Sequence, residues 1–323
     1  MFRRRRHDTS QLKLFYASDL HGSDRCFGKF VNAAKFYGAR ILVLGGDLAG
    51  KAVVPVVREN GHWRAEFLGV EHELDGIGEL EGLEEAIRFN GFYPYRTDAD
   101  ELERMEDDPE HVKDVFDRLM LECLERWLAF AEERLAGSDV ELLAIAGNDD
   151  ELYLDELLRA SPVVRFNDET PQEIEGWTVV GLSWANPTPW ASPREESEDE
   201  LYARIERSLD GVDIGPRTIF NFHVPPHASG LDDAPELRED FSVVLRGAQP
   251  RMVPVGSTAI RRVFEERQPA LGLHGHIHES RGCARIGQSL VINPGSRYNE
   301  GVLDGVLVTL DERGVADYRL LTG

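Results

Sequence analysis

The chain has 323 residues, 41% of them hydrophobic and 29% charged, with a formal net charge of −23 at pH 7. That length can bury a sizeable core, as one large domain or two smaller ones. The acidity argues against general binding to nucleic-acid backbones or anionic membranes, which want a basic surface, but it leaves room for a small anion held through bound cations.

Residues 1–10 open with Arg3–Arg6 and lack the apolar stretch of an export signal, so they read as a solvated, disordered basic tail. No run approaches the roughly 18–20 apolar residues of a membrane span. Cys26, Cys123 and Cys283 are scattered and show no CxxC spacing, which fits a reducing compartment; the expected location is cytoplasmic.

Leu12–Ala17 reads as a strand, Arg25–Tyr37 as an amphipathic helix and Ile41–Leu44 as a second, buried strand. Residues 51–108 are an insertion, because about a hundred positions separate Asp47 from Asn148, far more than one βαβ crossover requires. Within it, Val53–Val57 and Trp63–Leu68 form an expected hairpin around Asn60-Gly61, Leu80–Phe89 a helix, and Phe92–Arg96 an aromatic loop. The insertion is either a peripheral lobe or a cap in which Tyr93, Tyr95 and Arg96 meet the ligand. Val112–Leu135 carries apolar residues at helical spacing, Leu142–Ala146 is another buried strand, and Leu152–Leu158 a short helix. Strands then dominate: Thr178–Leu182, Thr218–Phe222, Ala270–Leu273, Gly282–Ile286, Leu290–Ile292, Val306–Leu310 and Val315–Leu321, with an acidic surface helix over Glu195–Leu209. Early strand–helix alternation followed by a strand-rich half predicts two packed sheets flanked by helices.

Seven candidate metal ligands stand in five packets at the ends of apolar runs. They are Asp19 and His21 in Ser-Asp-Leu-His-Gly, Asp47 in Leu-Gly-Gly-Asp, Asn148 in Ala-Gly-Asn-Asp-Asp, His223 in Phe-Asn-Phe-His-Val-Pro-Pro, and His276 with His278 in His-Gly-His-Ile-His. Side chains just past the carboxyl ends of neighbouring strands converge on one crevice in an open α/β sheet. Alternation along an extended Gly-His-Ile-His segment would place His276 and His278 on the same side. Donors of the His, Asp and Asn type without thiolate suit Mn, Fe, Zn or a similar divalent ion.

In content and order these packets resemble the signature of the calcineurin-like metallophosphoesterases, over roughly residues 13–300. The Val-Pro-Pro run after His223, the Gly-His-Ile-His-Glu-Ser run and the Asn-Pro-Gly-Ser ending look most like the Icc-related predicted phosphoesterases. The resemblance implies an α/β fold, a four-layer αββα sandwich of two mixed sheets, here with an inserted α+β lobe. It also implies two divalent ions: one held by Asp19, His21 and His278, the other by Asn148, His223 and His276, with Asp47 bridging. The expected activity is hydrolysis of a phosphodiester in a small phosphorylated substrate. The alternatives are a phosphomonoesterase or protein phosphatase, and a non-catalytic binding scaffold.

One position departs from the pattern. Most of the superfamily has His where Asp149 stands, and that His is credited with protonating the leaving group. A carboxylate of ordinary pKa is a poor acid at neutral pH. Asp149 is therefore a doubtful replacement, and its other reading is a cap on the following helix. His227, in His-Val-Pro-Pro-His, is a second candidate for the proton donor or a phosphate contact; otherwise it is an exposed loop residue. Arg297 contacts phosphate or makes an ion pair, and His274 packs or hydrogen-bonds behind the metal layer.

Overall fold

The computed structural model describes residues 11–323, so the basic tail at 1–10 lies outside the described residues. Strand β1 (Leu12–Ala17) leads through Ser23, whose side chain accepts the Cys26 N–H, into helix α1 (Asp24–Tyr37). Strand β2 (Ile41–Gly45) follows. A smaller sheet then forms from β3 (Val53–Glu59), β4 (His62–Phe67), β5 (Val70–Leu74) and β6 (Tyr93–Asp98), with α2 (Ile77–Phe89) between the last two and α3 (Ala99–Asp107) after them. Asp108 and Pro109 open the long helix α4 (Pro109–Leu135), where the Asp108 carboxylate accepts the N–H groups of Glu110 and His111. Next come β7 (Glu141–Ile145), α5 (Leu154–Ala160), β8 (Val164–Phe166), β9 (Gln172–Ile174), β10 (Trp177–Leu182), α6 (Glu198–Ser208) and β11 (Thr218–Phe222). The short strands β12 (Asp233–Pro235), β13 (Leu245–Arg246), β14 (Gln249–Pro250) and β15 (Met252–Pro254) make a small arm. The chain closes with α7 (Thr258–Arg267), β16 (Leu271–Leu273), β17 (Gly282–Ile286), β18 (Ser289–Asn293), β19 (Asp304–Asp311) and β20 (Gly314–Thr322).

Two six-stranded mixed sheets result, in the orders β20-β19-β1-β2-β7-β8 and β17-β18-β16-β11-β10-β9. Leu14, Tyr16, Ile41, Val43 and Leu143 of the first pack against Val179, Ile219, Leu271, Leu273 and Ile292 of the second, forming the middle of the molecule. The outer face of the first sheet is covered by α1, α4 and α5, and that of the second by α6 and α7. The fold is thus the expected αββα sandwich. Each fully buried Leu, Ile or Phe in these layers contributes about 1.5–3 kcal/mol relative to exposure.

The smaller sheet and α2 have their own apolar cluster of Val54, Val56, Ala65, Phe67, Leu74, Leu80, Leu83 and Ile87. Its hairpin turns at Asn60 (φ 51°) and Gly61 (φ 92°), as an Asn-Gly turn requires. The segment expected as an aromatic loop is instead β6, paired in parallel with β3 from Val53 opposite Tyr93. Its alternation is hard to read locally because Pro94 and Arg96 interrupt the apolar residues. Among the described residues no helix is long and apolar enough to cross a membrane.

Candidate metal centre

The parallel core of the first sheet aligns Ala17 with Leu44 and Gly45 with Ile145. That register brings the turns carrying Asp19 and His21, Asp47, and Asn148 side by side. In the second sheet Leu182 stands opposite Phe222 and Asn221 opposite Leu273, which places His223 beside the His274–His278 turn. The two edges meet directly: His223 Nδ1 lies 2.7 Å from the Gly45 carbonyl of the other sheet.

All seven side chains converge there. Asp19, His21, Asp47 and His278 form one group, and Asp47, His223 and His276 a second, with the donor atoms of each group within 4.8 Å of one another. Asp47 belongs to both: its Oδ2 is 3.5 Å from His21 Nε2 and its Oδ1 3.4 Å from His223 Nε2. Asn148 Oδ1 is 3.0 Å from His223 Nε2, and His278 Nε2 is 3.4 Å from Asp19 Oδ1 and 3.1 Å from His21 Nε2. His276 and His278 are not held by an extended strand as expected. His276 has φ 63°, the segment turns, and the two rings enter different groups.

Four of the seven, Asp19, His21, Asp47 and His276, have φ between 40° and 63°. Left-handed backbone in non-glycine residues is strained and clusters at functional sites. The turns are held by bonds that compensate. Asp19 N–H donates to Gly46 O and His21 N–H to Asp47 O, both at 2.9 Å, and the Asp19 carboxylate accepts the His276 N–H. A Cβ on Gly147 would lie 2.1 Å from Asp47 Oδ1, so only glycine lets the Asn148 turn approach the carboxylate.

The donor chemistry fits a pair of divalent cations. His21 and His223 donate their Nδ1 protons to the Ala49 and Gly45 carbonyls, which aims their Nε2 atoms inward, His21 at Asp47 and His223 at Asp47 and Asn148. Burial pushes His21 down to about 3 and His276 to about 4, keeping both rings neutral as ligation requires. Burial also opposes charge on His223, but Asp47 and Asp19 outweigh it and raise that ring to about 10. The cluster is therefore short of positive charge and draws in protons or metal ions. Asp19 is lowered to about 2 because the His278 hydrogen bond overcomes burial, so it is an anionic donor at any physiological pH.

Asp149 does not cap the following helix, which begins at Leu154 after Tyr153. Its backbone N–H donates to Asp47 Oδ1 at 3.1 Å; its carboxylate accepts from Ser192 and Asn148 and pairs with the Lys51 ammonium. His227 contacts the Gly256 carbonyl at 3.2 Å and lies 3.9 Å from Asp232, rather than meeting any of the seven. Arg297 makes a two-pronged ion pair with Asp304 at 2.8 and 2.9 Å. His274 is buried and bonded to the Phe222 and Val224 carbonyls. Tyr93, Tyr95 and Arg96 bond to Gly50 N–H, Glu101 and Glu84 respectively.

Three residues at the site have no motif of their own. Asp150 is buried and accepts the N–H groups of Leu48, Ala49 and Gly147, tying the Asp47 turn to the Asn148 turn. Lys51 pairs across to Asp149, and the Tyr298 ring lies 4.6 Å from that of His21. Only the doubled acid at Asp149-Asp150 hinted at the first of them.

No family model matches the chain. Over 159 residues it is 30% identical to uncharacterized protein MJ1162 of Methanocaldococcus jannaschii, a match covering 48% of this chain and 64% of that protein, so it spans less than two thirds of that relative. Two solved structures align over nearly the whole chain. One, at 16% identity, has a TM-score of 0.57 and covers 96% of this chain and 98% of the other. The second, TT1561 of Thermus thermophilus, is 17% identical with a TM-score of 0.50, covering 97% and 98%. This chain shares the two-sheet α/β sandwich fold of both structures. Within that fold, the seven side chains occupy the crevice where the carboxyl ends of both sheets meet.

Proposed function

We propose that the protein is a two-metal phosphoesterase that hydrolyses phosphodiester bonds in a small phosphorylated substrate. The observation that carries this reading is the convergence of seven His, Asp and Asn side chains from both sheets, four of them on strained backbone, with the His21 and His223 rings oriented by Nδ1 bonds to backbone carbonyls. The fold and this cluster support a metal-dependent phosphoesterase in general. The diester preference is the finer inference.

Asp19, His21 and His278 would hold one ion, Asn148, His223 and His276 the other, and the carboxylate of Asp47 both. A pair of divalent cations supplies Lewis acidity towards phosphoryl oxygens and a nucleophilic water near neutral pH. The protein's own contribution is placement. Asp47 offsets the repulsion between two cations, the Nδ1–H bonds of His21 and His223 fix the rings, and Asp150 locks the turns that present Asp47 and Asn148. A nitrogen- and oxygen-rich, thiolate-free set favours Mn, Fe or Zn. A diester carries one negative charge where a monoester carries up to two, and the diester preference follows the resemblance carried by the His223 and His276–His278 packets. The expected location is the cytoplasm.

The test is elemental analysis of purified protein followed by parallel assays on a diester and a monoester. About two equivalents of a transition metal and faster turnover of the diester are expected. A metal-replete preparation without bound metal, or one that hydrolyses neither ester, would sink the reading.

A further inference from the structure

Hydrolysis of an ester of a weakly acidic alcohol needs a proton for the departing oxygen, and the seven clustered side chains are engaged with one another and with backbone carbonyls. The His21 and His223 rings commit Nδ1 to backbone carbonyls, and the Asp19 carboxylate accepts the His276 N–H. Asp149 is taken up by its pair with the Lys51 ammonium and by bonds from Ser192 and Asn148.

The ammonium belongs to Lys51, and its position is unusually well fixed. Every backbone N–H from Leu48 to Lys51 is bonded: Leu48 and Ala49 to Asp150, Gly50 to the Tyr93 hydroxyl at 2.6 Å, and Lys51 to the Gly91 carbonyl at 3.2 Å. Gly91 in turn lies flat against the rim of the crevice. A Cβ there would be 2.3 Å from the His21 carbonyl oxygen and 2.9 Å from the Tyr298 ring. Tyr298 lines the same wall, 4.6 Å from the His21 ring and 5.8 Å from that of His278. From this wall the Lys51 side chain crosses to Asp149, whose own N–H is bonded to Asp47. The ammonium therefore spans the mouth of the crevice beside the shared carboxylate. An ammonium has three donors; among the described residues the only side-chain partner of this one is Asp149. Its side chain is 37% exposed and that of Asp149 24%, so the remaining donors face an opening.

We propose that Lys51, held by Asp149 and walled by Tyr298, donates the proton to the departing oxygen of the substrate. This rests on the phosphoesterase reading above and adds the acid that it lacks. The step balances. A water oxygen bonds to phosphorus while the ester P–O bond breaks; the departing oxygen keeps that electron pair and takes a proton from Lys51 Nζ. The amine regains a proton from solvent, and the attacking water loses one to solvent. Burial pulls the ammonium's pKa down, but Asp47 and Asp149 raise it, so the proton is present at neutral pH. A general acid placed in this way is worth about 10²–10⁴-fold.

The test uses the full-length, metal-loaded protein and a series of aryl methyl phosphates whose phenols grow steadily less acidic, with aryl phosphate monoesters in parallel. Lys51→Met is expected to keep the wild-type metal content, by elemental analysis. It should lose less than about ten-fold in kcat with 4-nitrophenol as leaving group and about 10²-fold or more with the least acidic phenol. Lys51→Arg, which preserves the charge and the pair with Asp149 but is a far weaker acid, should show the same steepened dependence on the leaving group. An equal loss across the series, or a wild-type dependence restored by Lys51→Arg, overturns the assignment and leaves Lys51 a merely structural cation. Wild-type protein inert towards every ester with its metals bound would instead overturn the phosphoesterase reading itself.

Discussion

At the scale of single residues the site depends on carboxylates with different tasks. Asp47 lies within 3.5 Å of a ring nitrogen from each half of the cluster. Asp47→Ala is expected to lower metal stoichiometry and to cost more activity than the roughly 10–100-fold typical of groups that only orient ligands. Asp149→Asn should retain the metals, and the comparison is made by elemental analysis and kcat on the same preparations. Asp150 touches no candidate ligand atom, yet it accepts N–H groups from Leu48, Ala49 and Gly147. Asp150→Ala leaves these buried donors unpaired at about 1–3 kcal/mol each. It should lower Tm and weaken metal binding about 10–100-fold, which a chelator competition would read.

At the scale of elements, the turn after β18 is secured by charge rather than by apolar packing. Asp304, at the start of β19, is buried and pairs with Arg297 and Arg281 and with Thr322 at the end of β20. The residue expected to choose between phosphate and an ion pair has thus made the ion pair. Burial alone would raise the Asp304 carboxyl, but Arg297, Thr322 and Arg281 outweigh it and hold the pKa below its ordinary 3.8. The sign follows from linkage. A depressed acid contributes stability above its unfolded pKa and loses it as pH falls through the folded value. Asp304→Asn should therefore cost about 1–3 kcal/mol at pH 7. That difference should begin to shrink below about pH 4 and level off once the pH has fallen below the depressed folded value, where both proteins carry a neutral side chain. Thermal unfolding of both proteins across that range measures it; a pH-independent gap would mean that shape, not charge, holds the turn.

At the scale of the whole molecule, metal and stability are linked because the cluster joins the two sheets. His223 of the second sheet bonds to Gly45 of the first, and His276 N–H bonds to Asp19. Ions held between them favour the folded state by mass action, about 2.7 kcal/mol at a free concentration 100-fold above Kd. Adding a divalent metal to chelator-treated protein should raise Tm by several degrees. In a variant lacking Asp47 the rise should be much smaller. Differential scanning fluorimetry of the two proteins with and without metal gives the answer. Equal shifts in both would place the stabilising ions elsewhere on this chain of net charge −23.

The local pattern of the sequence determined the strands of the two main sheets and the residues that end them. Leu12–Ala17 and Thr218–Phe222 have the expected bounds, because buried apolar runs and the turns that stop them are properties of a few neighbouring residues. The same logic singled out the seven polar residues at strand ends that the fold gathers into one crevice. It could not see β6, whose pairing partner Val53 lies forty positions away, nor the turn at His276, whose left-handed backbone is imposed by Asp19 from the other sheet. Nor could it assign Lys51, Asp150 and Tyr298. Each is an ordinary residue in its own segment and gains its place only from a partner distant in the chain: Asp149 for Lys51, Leu48 for Asp150 and His21 for Tyr298. Strand-end chemistry is written locally because it depends on where a hydrogen-bonded run stops. The groups that surround it are chosen by long-range packing, which only the closed sandwich decides.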